Sequence, residues 1–500
     1  MKVLRIAFPR GAFTEEETGL SGLELAFSLM KEKDTVVILS PGPEAVRQSQ
    51  PAVTSFVFFS PVTGALTLGY APLSAGYALR SEGLDAVVLT GRARVLSLVS
   101  IAERNVSDAH LYRDLGNREL SGLAQAGGAL LSVGRAAMNG VLHASLRGEG
   151  AEIPELGAVL ARKGIKGLLF PPAEIKAGSK KARFLSRHAR DFLREGERSL
   201  IDADIRLGTL PVGNWSSGRD PRAYFLDEKA ARDSSGPFPG YQAAKLLGAN
   251  LSVFDSGEVM ELADAVAEAG LDTAYAGAVL AGKSLDRKGR LELVETLAEG
   301  MQVKGGAFLS ESGQPFTLDL RGSLPDAIAC SLGLPPVLLS SRVMPLRPLG
   351  RKAAAELAVL ELAYGFALLS EGYSPAYALE TCWGRIPSVC YHIPHFPLLL
   401  LLSKRDMLRK GLALMEKLEN GPYRLPGLFR LSPLYGRSVN QTLLMSEYRH
   451  QKARLRMLLN VRSENTFIPS GDSRAAVGPA DDLGREGEPG FSTNTPFWPL

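Results

Sequence analysis

Two kinds of hydrophobic pattern divide this chain, and the change falls near residue 175. Before that point, short β-branched or aromatic runs alternate with turns that contain glycine and proline, as in the strands of a sheet. Strands are predicted over residues 3–8, 35–39, 54–59, 86–90, 96–101 and 165–170. One early helix is predicted over residues 22–30. The pattern predicts an α+β fold whose first domain is β-rich and antiparallel.

From about residue 176 onward, apolar residues recur at helical spacing. The clearest helix covers residues 256–270, where Asp255 stands at an N-cap position, Glu258 follows three residues later and Gly270 is predicted to end the helix. Further helices are predicted over residues 273–281, 291–299, 353–369, 404–419 and 441–459. No internal repeat of solenoid period is found.

These patterns predict three compact domains and a tail. The β-rich domain covers residues 1–175, and two mainly α-helical domains cover residues 176–345 and 346–460. Residues 461–500 are rich in glycine, serine, proline and acidic residues, so they are predicted to be disordered unless a partner orders them. Phe497 and Trp498 in this tail are either anchors for a partner or part of a frayed end.

Composition narrows the class of protein. The net charge of the 500 residues is only +4, so charge does not indicate binding to nucleic acid. No run reaches the roughly 20 apolar residues of a membrane span, and residues 1–8 are typical of a first strand and not of a signal peptide. Three cysteines indicate a reducing compartment, and we expect the protein in the cytoplasm.

A series of short motifs then appears in a fixed order. They occupy residues 22–26, 60–64, 80–90, 133–139, 156–167, 208–215, 270–273, 303–305 and 319–322. In this order they resemble the motifs of the aldehyde ferredoxin oxidoreductase family, which carries a tungsten-pterin cofactor. Residues 270–273, Gly-Leu-Asp-Thr, resemble that family's pterin motif. The resemblance implies a β-rich base that carries two pyranopterin dithiolenes, with two helical domains over it.

The resemblance implies three cofactor-binding positions in this chain, and each has a second interpretation. Asp272 either contacts a pterin or caps the helix that follows it. Lys304 either contacts the cofactor or is a surface lysine. Asn139, in a turn bounded by glycine, is either a ligand or a turn residue.

The chain lacks the cysteines for the family's iron–sulfur cluster. An Fe₄S₄ core held by cysteine needs four thiolates, three of which the family places between its Asn-Trp motif and the pterin helix. Residues 214–255 contain no cysteine here. The family's fourth cysteine ends a separate motif, and the counterpart of that motif, residues 369–374, ends in serine. Cys330, Cys382 and Cys390 together supply only three thiolates. This chain alone is therefore not expected to hold an Fe₄S₄ cluster.

The positions implied for pterin and metal have also changed. Where the family has Arg-Gly-Gly, this chain has Ile153, Pro154 and Glu155, which are poor partners for a phosphate because they add a carboxylate and lose an N–H group. The family's Asn-x-Gly-Gly turn has no good match near residues 69–73. The carboxylate-bearing motif near the metal becomes residues 239–242, Pro-Gly-Tyr-Gln, and the family's histidine becomes Gln302.

One other cluster has the chemistry of a metal site. Cys382, Cys390, His392 and His395 make up the ligand set of a tetrahedral zinc site, although their spacing is unusual. The alternative is a packed, partly buried group of thiols and imidazoles.

Two functional hypotheses follow. In the first, the chain is a non-catalytic or cofactor-poor paralogue, a pseudoenzyme with no cofactor expected, which forms a homo- or hetero-oligomer with a cluster-bearing paralogue or redox subunit. In the second, it is an active tungsten- or molybdenum-pterin oxidoreductase that oxidises aldehydes to carboxylic acids and passes electrons to ferredoxin or a partner subunit. The residues identify no catalytic side chain, and neither hypothesis involves nucleic acid or a membrane.

Overall fold

The computed structural model describes much of the N-terminal half of the chain and six later helices. The described residues are 1–30, 33–47, 52–62, 66–71, 73–124, 128–149, 151–173, 246–248, 251, 253, 255–281, 283–301, 351–373, 405–419 and 441–459. The predicted domain boundaries near residues 175, 345 and 460 lie outside these ranges.

Two six-stranded sheets form the first domain, with strand orders β2-β1-β6-β3-β4-β5 and β8-β7-β12-β9-β10-β11. The strands of the first sheet are β1 Lys2–Ala7, β2 Ala12–Glu17, β3 Val36–Leu39, β4 Thr54–Phe59, β5 Leu66–Ala71 and β6 Ala86–Thr90. The strands of the second are β7 Ser97–Ser100, β8 Asn105–Asp108, β9 Ala129–Val133, β10 Leu146–Gly148, β11 Ala151–Ile153 and β12 Ile165–Phe170.

The two sheets are repeats of one topology. Adding six to each strand number of the first order gives the second order, and equivalent pairs run in equivalent directions. Helices also recur at equivalent points: α1 Gly22–Leu29, α2 Pro43–Arg47 and α3 Ser74–Ser81 in the first repeat, and α4 Asn117–Leu120, α5 Arg135–Met138 and α6 Leu156–Arg162 in the second. The innermost edge strands, β5 and β11, lie against each other and join the two repeats.

The prediction of an antiparallel first domain was wrong in one respect, because both sheets are mixed. β1 pairs with β6 in parallel, and β12 pairs with β7 in parallel. The other pairs are antiparallel, among them β1 with β2 and β3 with β4. The α+β class itself is confirmed. Hydrophobic pattern reports which faces of a strand are buried but carries no information on the direction of its neighbour.

The first sheet is covered on both faces, which explains its continuous apolar runs. Along β3, Val36 and Ile38 belong to a core shared with the second sheet, whereas Val37 and Leu39 belong to a core shared with C-terminal helices. All four side chains are at most 3% exposed. A strand buried on both faces loses the alternation of a half-buried strand.

Six helices follow the first domain in the described parts of the chain. They are α7 Ser256–Ala269, α8 Thr273–Ala281, α9 Arg287–Ala298, α10 Arg351–Ser370, α11 Arg405–Glu419 and α12 Gln441–Leu459. Helices α7 and α9 contact α5 in the second repeat, and α10 contacts α1 in the first. Each group of helices thus has its own repeat to pack on.

Both repeats hold the end of a helix in the same way. Gly270 ends α7 in the left-handed region at φ +74°, and a Cβ there would lie 2.6 Å from the Cα of Gly134. Gly372, just beyond α10, has φ +78°, and a Cβ there would lie 2.6 Å from the backbone N of Gly42. The Ser145 N–H donates to Gly270 O and the Val53 N–H donates to Gly372 O, each at 2.9 Å. These contacts require glycine for both conformation and space.

None of the described helices combines the length and the apolar character needed to cross a membrane.

Candidate functional site

The candidate site surrounds a short hairpin in the second repeat. Strands β10 and β11, together with Glu149 and the turn that leads into α6, make up residues 146–149 and 151–155, which we call the acidic hairpin. It carries Glu149, Glu152 and Glu155 and lies between the N-termini of α3, α6 and α8.

Asp272 lies at the start of α8, immediately after an isolated β-bridge between Ala144 and Leu271. Its backbone N–H donates to His143 O at 2.9 Å, and its Oδ1 accepts the Tyr275 N–H at 2.9 Å. The residue is only 1% exposed. Asp272 is therefore an N-cap, one of the two interpretations given to it by the sequence.

His143 packs beside this cap. Its ring stacks on Tyr275 with centroids 4.3 Å apart and planes 12° from parallel. The side chain is 3% exposed, and neither ring nitrogen has a hydrogen-bond partner among the described residues. Burial lowers the pKa of His143 to about 4, so the imidazole is neutral near pH 7. Burial also raises the pKa of Tyr275. A neutral aromatic pair therefore lies under the start of α8.

Glu152 binds the first residue of α8. Its Oε1 accepts the Thr273 N–H at 2.9 Å, and its Oε2 accepts the Thr273 hydroxyl at 2.7 Å. Arg147 lies 3.0 Å from Oε2 and also donates to Leu271 O at 2.7 Å. Both charged side chains are largely enclosed, with 14% of Arg147 and 21% of Glu152 exposed. The acidic hairpin thus supplies an anion, fixed by an arginine, to a helix N-terminus.

Glu149 binds the first residue of α3 in the same manner. Its Oε2 accepts the Ser74 N–H at 2.6 Å, and its Oε1 accepts the Ser74 hydroxyl. Unlike Glu152, Glu149 lies at the surface, and its backbone is in the left-handed region at φ +55°. This contact joins the turn of one repeat to a helix of the other.

Glu155 makes a second contact between the repeats. It stands before α6 with φ +63°, is 8% exposed and accepts a hydrogen bond from the Ser60 hydroxyl. Ile153 crosses to the first repeat as well, because a Cβ on Gly69 would lie 2.4 Å from Ile153 Cγ2. The residues that replace Arg-Gly-Gly therefore fill the space between the repeats with a carboxylate and an apolar side chain.

Among the other predicted site residues, only Asn139 is described, and it lies apart from this cluster. Asn139 ends α5, and its Nδ2 donates to Ala298 O at 2.9 Å, which ties α5 to the end of α9. Lys304 lies outside the described residues, as do Gln302, residues 239–242 and the tail with Phe497 and Trp498.

The zinc candidates Cys382, Cys390, His392 and His395 also lie outside the described ranges, together with Cys330. Within those ranges, no group of three or more histidine, cysteine, aspartate or glutamate residues could hold a metal ion.

At two helix N-termini, a glutamate carboxylate already occupies the position where a phosphate of the implied cofactor would bind. The backbone N–H of Ser74 and that of Thr273 already donate to carboxylate oxygens. A second anion at either place would face a like charge a few ångströms away, which is unfavourable. As they stand, these two positions do not fit a phosphate.

Sequence reasoning identified Glu155 but missed Glu149, Glu152 and His143. The three glutamates recur at every third position from residue 149, and that regularity was the available signal. His143 belongs to no motif, and its burial depends on α8, which comes more than a hundred residues later.

Comparison with known proteins shows which family the first domain is similar to. Residues 24–171 match the family described as aldehyde ferredoxin oxidoreductase, N-terminal domain. The chain is similar to the tungsten-containing aldehyde ferredoxin oxidoreductase of Pyrococcus furiosus, with 25% identity over 343 residues that cover 55% of this chain and 55% of that protein. The match therefore spans about half of the relative's length.

A solved structure shares the fold. The active site complex BamBC of benzoyl coenzyme A reductase, in complex with 1,5-dienoyl-CoA, superposes with a TM-score of 0.56 at 12% identity, covering 92% of this chain and 96% of that one. The sequence motifs, the match of the first domain and the shared fold agree that residues 24–171 are similar to the N-terminal domain of the aldehyde ferredoxin oxidoreductase family.

Proposed function

We propose that this chain is a non-catalytic, cofactor-poor member of the family that acts as a subunit or assembly partner of a redox complex. The observation that carries the proposal is the cysteine count. Residues 1–500 contain three cysteines, and a cluster of the Cys₄ type needs four. Without a cluster, electrons from a pterin-bound metal have no internal route to ferredoxin.

The acidic hairpin supports the same proposal. Glu149 and Glu152 hold the N–H groups of two helices, and Ile153 and Glu155 fill the contact between the repeats. A scaffold stabilised by its own side chains can keep its fold without a cofactor. Such a scaffold keeps large surfaces for association, which is the property a subunit needs.

The proposed partner is a cluster-bearing paralogue or another redox subunit. The solved structure that shares this fold is described as a complex, BamBC. The partner would supply the electron-transfer cofactor that this chain lacks, and the complex would be a homo- or hetero-oligomer.

The alternative is an active tungsten- or molybdenum-pterin oxidoreductase that oxidises aldehydes. The similarity to a tungsten-containing enzyme and the retained Asp272 favour it. If a pterin is bound, Asp272, Asn139 and Lys304 are the positions that the family resemblance proposes for it. The cofactor would supply the redox chemistry, and Asp272 would keep the start of α8 in place.

Anaerobic purification followed by analysis for W, Mo, Fe, sulfide and pterin distinguishes these functions. The proposal expects no thiolate-to-iron absorption in the visible range, no reduced-cluster EPR signal and little pterin released by acid. Four iron and four sulfide per isolated chain, or two pterins per chain with aldehyde oxidation, would support the alternative and reject the proposal.

A further inference from the structure

The acidic hairpin makes the same pair of hydrogen bonds at two separate helices. Glu149 and Glu152 each accept one backbone N–H and one hydroxyl from the first residue of a helix, Ser74 of α3 and Thr273 of α8. These helices contain eight and nine residues, so each has a developed positive N-terminus. Backbone N–H groups and hydroxyls at such an end are the donors that a phosphate group would use.

We propose that the acidic hairpin is a built-in replacement for an anionic ligand of the first domain. The carboxylates of Glu149 and Glu152 occupy two anion positions that a phosphate-bearing cofactor would otherwise need. This inference concerns what fills the domain and does not rest on the proposed partner role. It extends the sequence argument about Ile153, Pro154 and Glu155 to two residues that no motif comparison singled out.

The surroundings of Glu152 show why the replacement is stable. Arg147 contacts its Oε2 at 3.0 Å, and the same arginine donates to Leu271 O in the loop before α8. The carboxylate is therefore neutralised and held in a largely enclosed setting, where charge-assisted hydrogen bonds are strong. Nearby, Ile153 reaches over Gly69 and Glu155 accepts the Ser60 hydroxyl. Side chains of the acidic hairpin thus fill the space between the two repeats.

Glu149 and Glu152 differ in exposure, which makes the replacement testable step by step. Glu149 is a surface residue, so removing its side chain opens the α3 position to solvent ions. Glu152 is 21% exposed, so its removal opens a more enclosed position that retains Arg147 as an additional cation. Phosphate should therefore bind more tightly at the second position than at the first.

The experiment measures the Tm of the full chain in increasing inorganic phosphate, with chloride buffers of equal ionic strength as reference. Wild type is expected to show no phosphate-specific shift. The double variant Glu149→Ala/Glu152→Ala is expected to melt at a lower temperature in chloride and to regain stability as phosphate increases, with saturation. The double Gln variant keeps the side-chain volume and one accepting oxygen, so it should respond little to phosphate.

Glu17→Ala/Glu292→Ala serves as a charge-matched control, because both glutamates are exposed, Glu17 on β2 and Glu292 on α9. A phosphate response in wild type as large as in the double Ala variant would overturn the proposal, because the positions would not be filled. A destabilised double variant with no phosphate response would also overturn it, since the carboxylates would then be structural only. If the double variant does not fold, the phosphate dependence of the Tm is measured on Glu149→Ala, at the exposed position, with the same expected outcomes. Metal and pterin analysis of the same wild-type sample reports on the proposed function separately.

Discussion

At the scale of single residues, His143 links burial to pH. Its pKa is about 4 in the folded protein and 6.5 in an unconstrained histidine, so the unfolded chain binds more protons between these values. The stability that the neutral, buried His143 contributes is therefore fully present above about pH 6.5 and is lost as the pH decreases towards 4. A difference of this size corresponds to roughly 3 kcal/mol across the window.

His143→Phe tests this because phenylalanine keeps the stack on Tyr275 and cannot titrate. We expect the variant to lose less stability than wild type between pH 7 and pH 4, measured by urea unfolding at each pH. His110→Phe, at an exposed position, is the control for replacing a histidine by phenylalanine. Equal pH dependence in wild type and His143→Phe would contradict the assignment.

Glu155 has a backbone conformation that suits glycine, with φ +63°. Glu155→Gly and Glu155→Ala both remove the carboxylate that accepts a hydrogen bond from Ser60. The difference between their free energies of unfolding therefore reports the backbone conformation at this position. We expect the glycine variant to be more stable than the alanine variant by about 1 kcal/mol. Unfolding midpoints in denaturant measure the difference.

Glu292 provides the matched control, because it is exposed on α9 within an ordinary helix. There the order should reverse, with alanine more stable than glycine by about 1 kcal/mol. The same order at both positions would show that Glu155 is not held in the left-handed region.

Asp272 illustrates how far sequence alone can go for a single residue. Its place between two helical patterns was enough to propose an N-cap, and the hydrogen bond to the Tyr275 N–H confirms that contact. The sequence could not identify His143 or Glu152 as neighbours of α8, because the loop that holds His143 and the strand β11 that holds Glu152 reach it only through the folded second repeat.

At the scale of elements, the end of α7 depends on two glycines in contact. Gly270→Ala would bring a Cβ to 2.6 Å from Gly134 and would strain a backbone at φ +74°. Gly83 also has a positive φ, +72°, but has open space around it. Gly83→Ala should therefore cost only the backbone term of about 1 kcal/mol, and Gly270→Ala about 1–3 kcal/mol more.

Hydrogen exchange measures where in the molecule the stability is lost. In Gly270→Ala, amides of α7 should exchange faster than in wild type, because the end of the helix loses its close contact with the second repeat. In Gly83→Ala, the exchange of α7 should not change. Similar losses of stability in both variants would mean that the contact with Gly134 does not matter.

The first helix, the helices after residue 250 and six of the twelve strands could be predicted, whereas the short helices α2 to α6 and the other six strands could not. Strand β1 was expected at residues 3–8 and lies at Lys2–Ala7, and α7 begins after Asp255 and ends at Gly270 as expected. Strand β2, with the sequence AFTEEE, was missed because an exposed edge strand has no apolar face to detect. Strands β10 and β11 have three residues each, too few for a period to emerge.

At the scale of the whole molecule, we expect the protein to occur in a complex. Purification from its native source, followed by mass spectrometry, should recover a cluster-bearing paralogue or another redox subunit in fixed ratio. Recovery only as a monomer with full aldehyde-oxidising activity would reject this expectation.

The tail is tested separately, by deleting residues 461–500 from the full chain. If Phe497 and Trp498 are anchors, the deletion should weaken binding of the partner without abolishing it, because ordering a segment offsets part of its contact energy. Replacing both aromatic residues with serine should have most of the same effect. Unchanged affinity in both variants would remove the tail from the interface.

The repeat of the first domain could not be predicted from the sequence. It lies in the pairing of strands, whereas pattern analysis detects repeats only when residues recur at a fixed period. The two docking glycines, Gly270 and Gly372, show the repeat most directly, and they come from separate helical regions. Sequence motifs identified both places without indicating that they are equivalent.

The placement of the sheet edges limits how this molecule can associate. Strands β5 and β11 cover each other, and among the described strands β2 and β8 form the outer edges of the two sheets. β2 carries Glu15, Glu16 and Glu17, and β8 ends in Asp108, so each outer edge bears acidic charge. An incoming strand would have to desolvate these carboxylates, which is how many proteins prevent aggregation by strand addition. Growth of either sheet into a fibril or a strand-swapped dimer is therefore disfavoured, and a partner should dock through side-chain contacts with helices or loops.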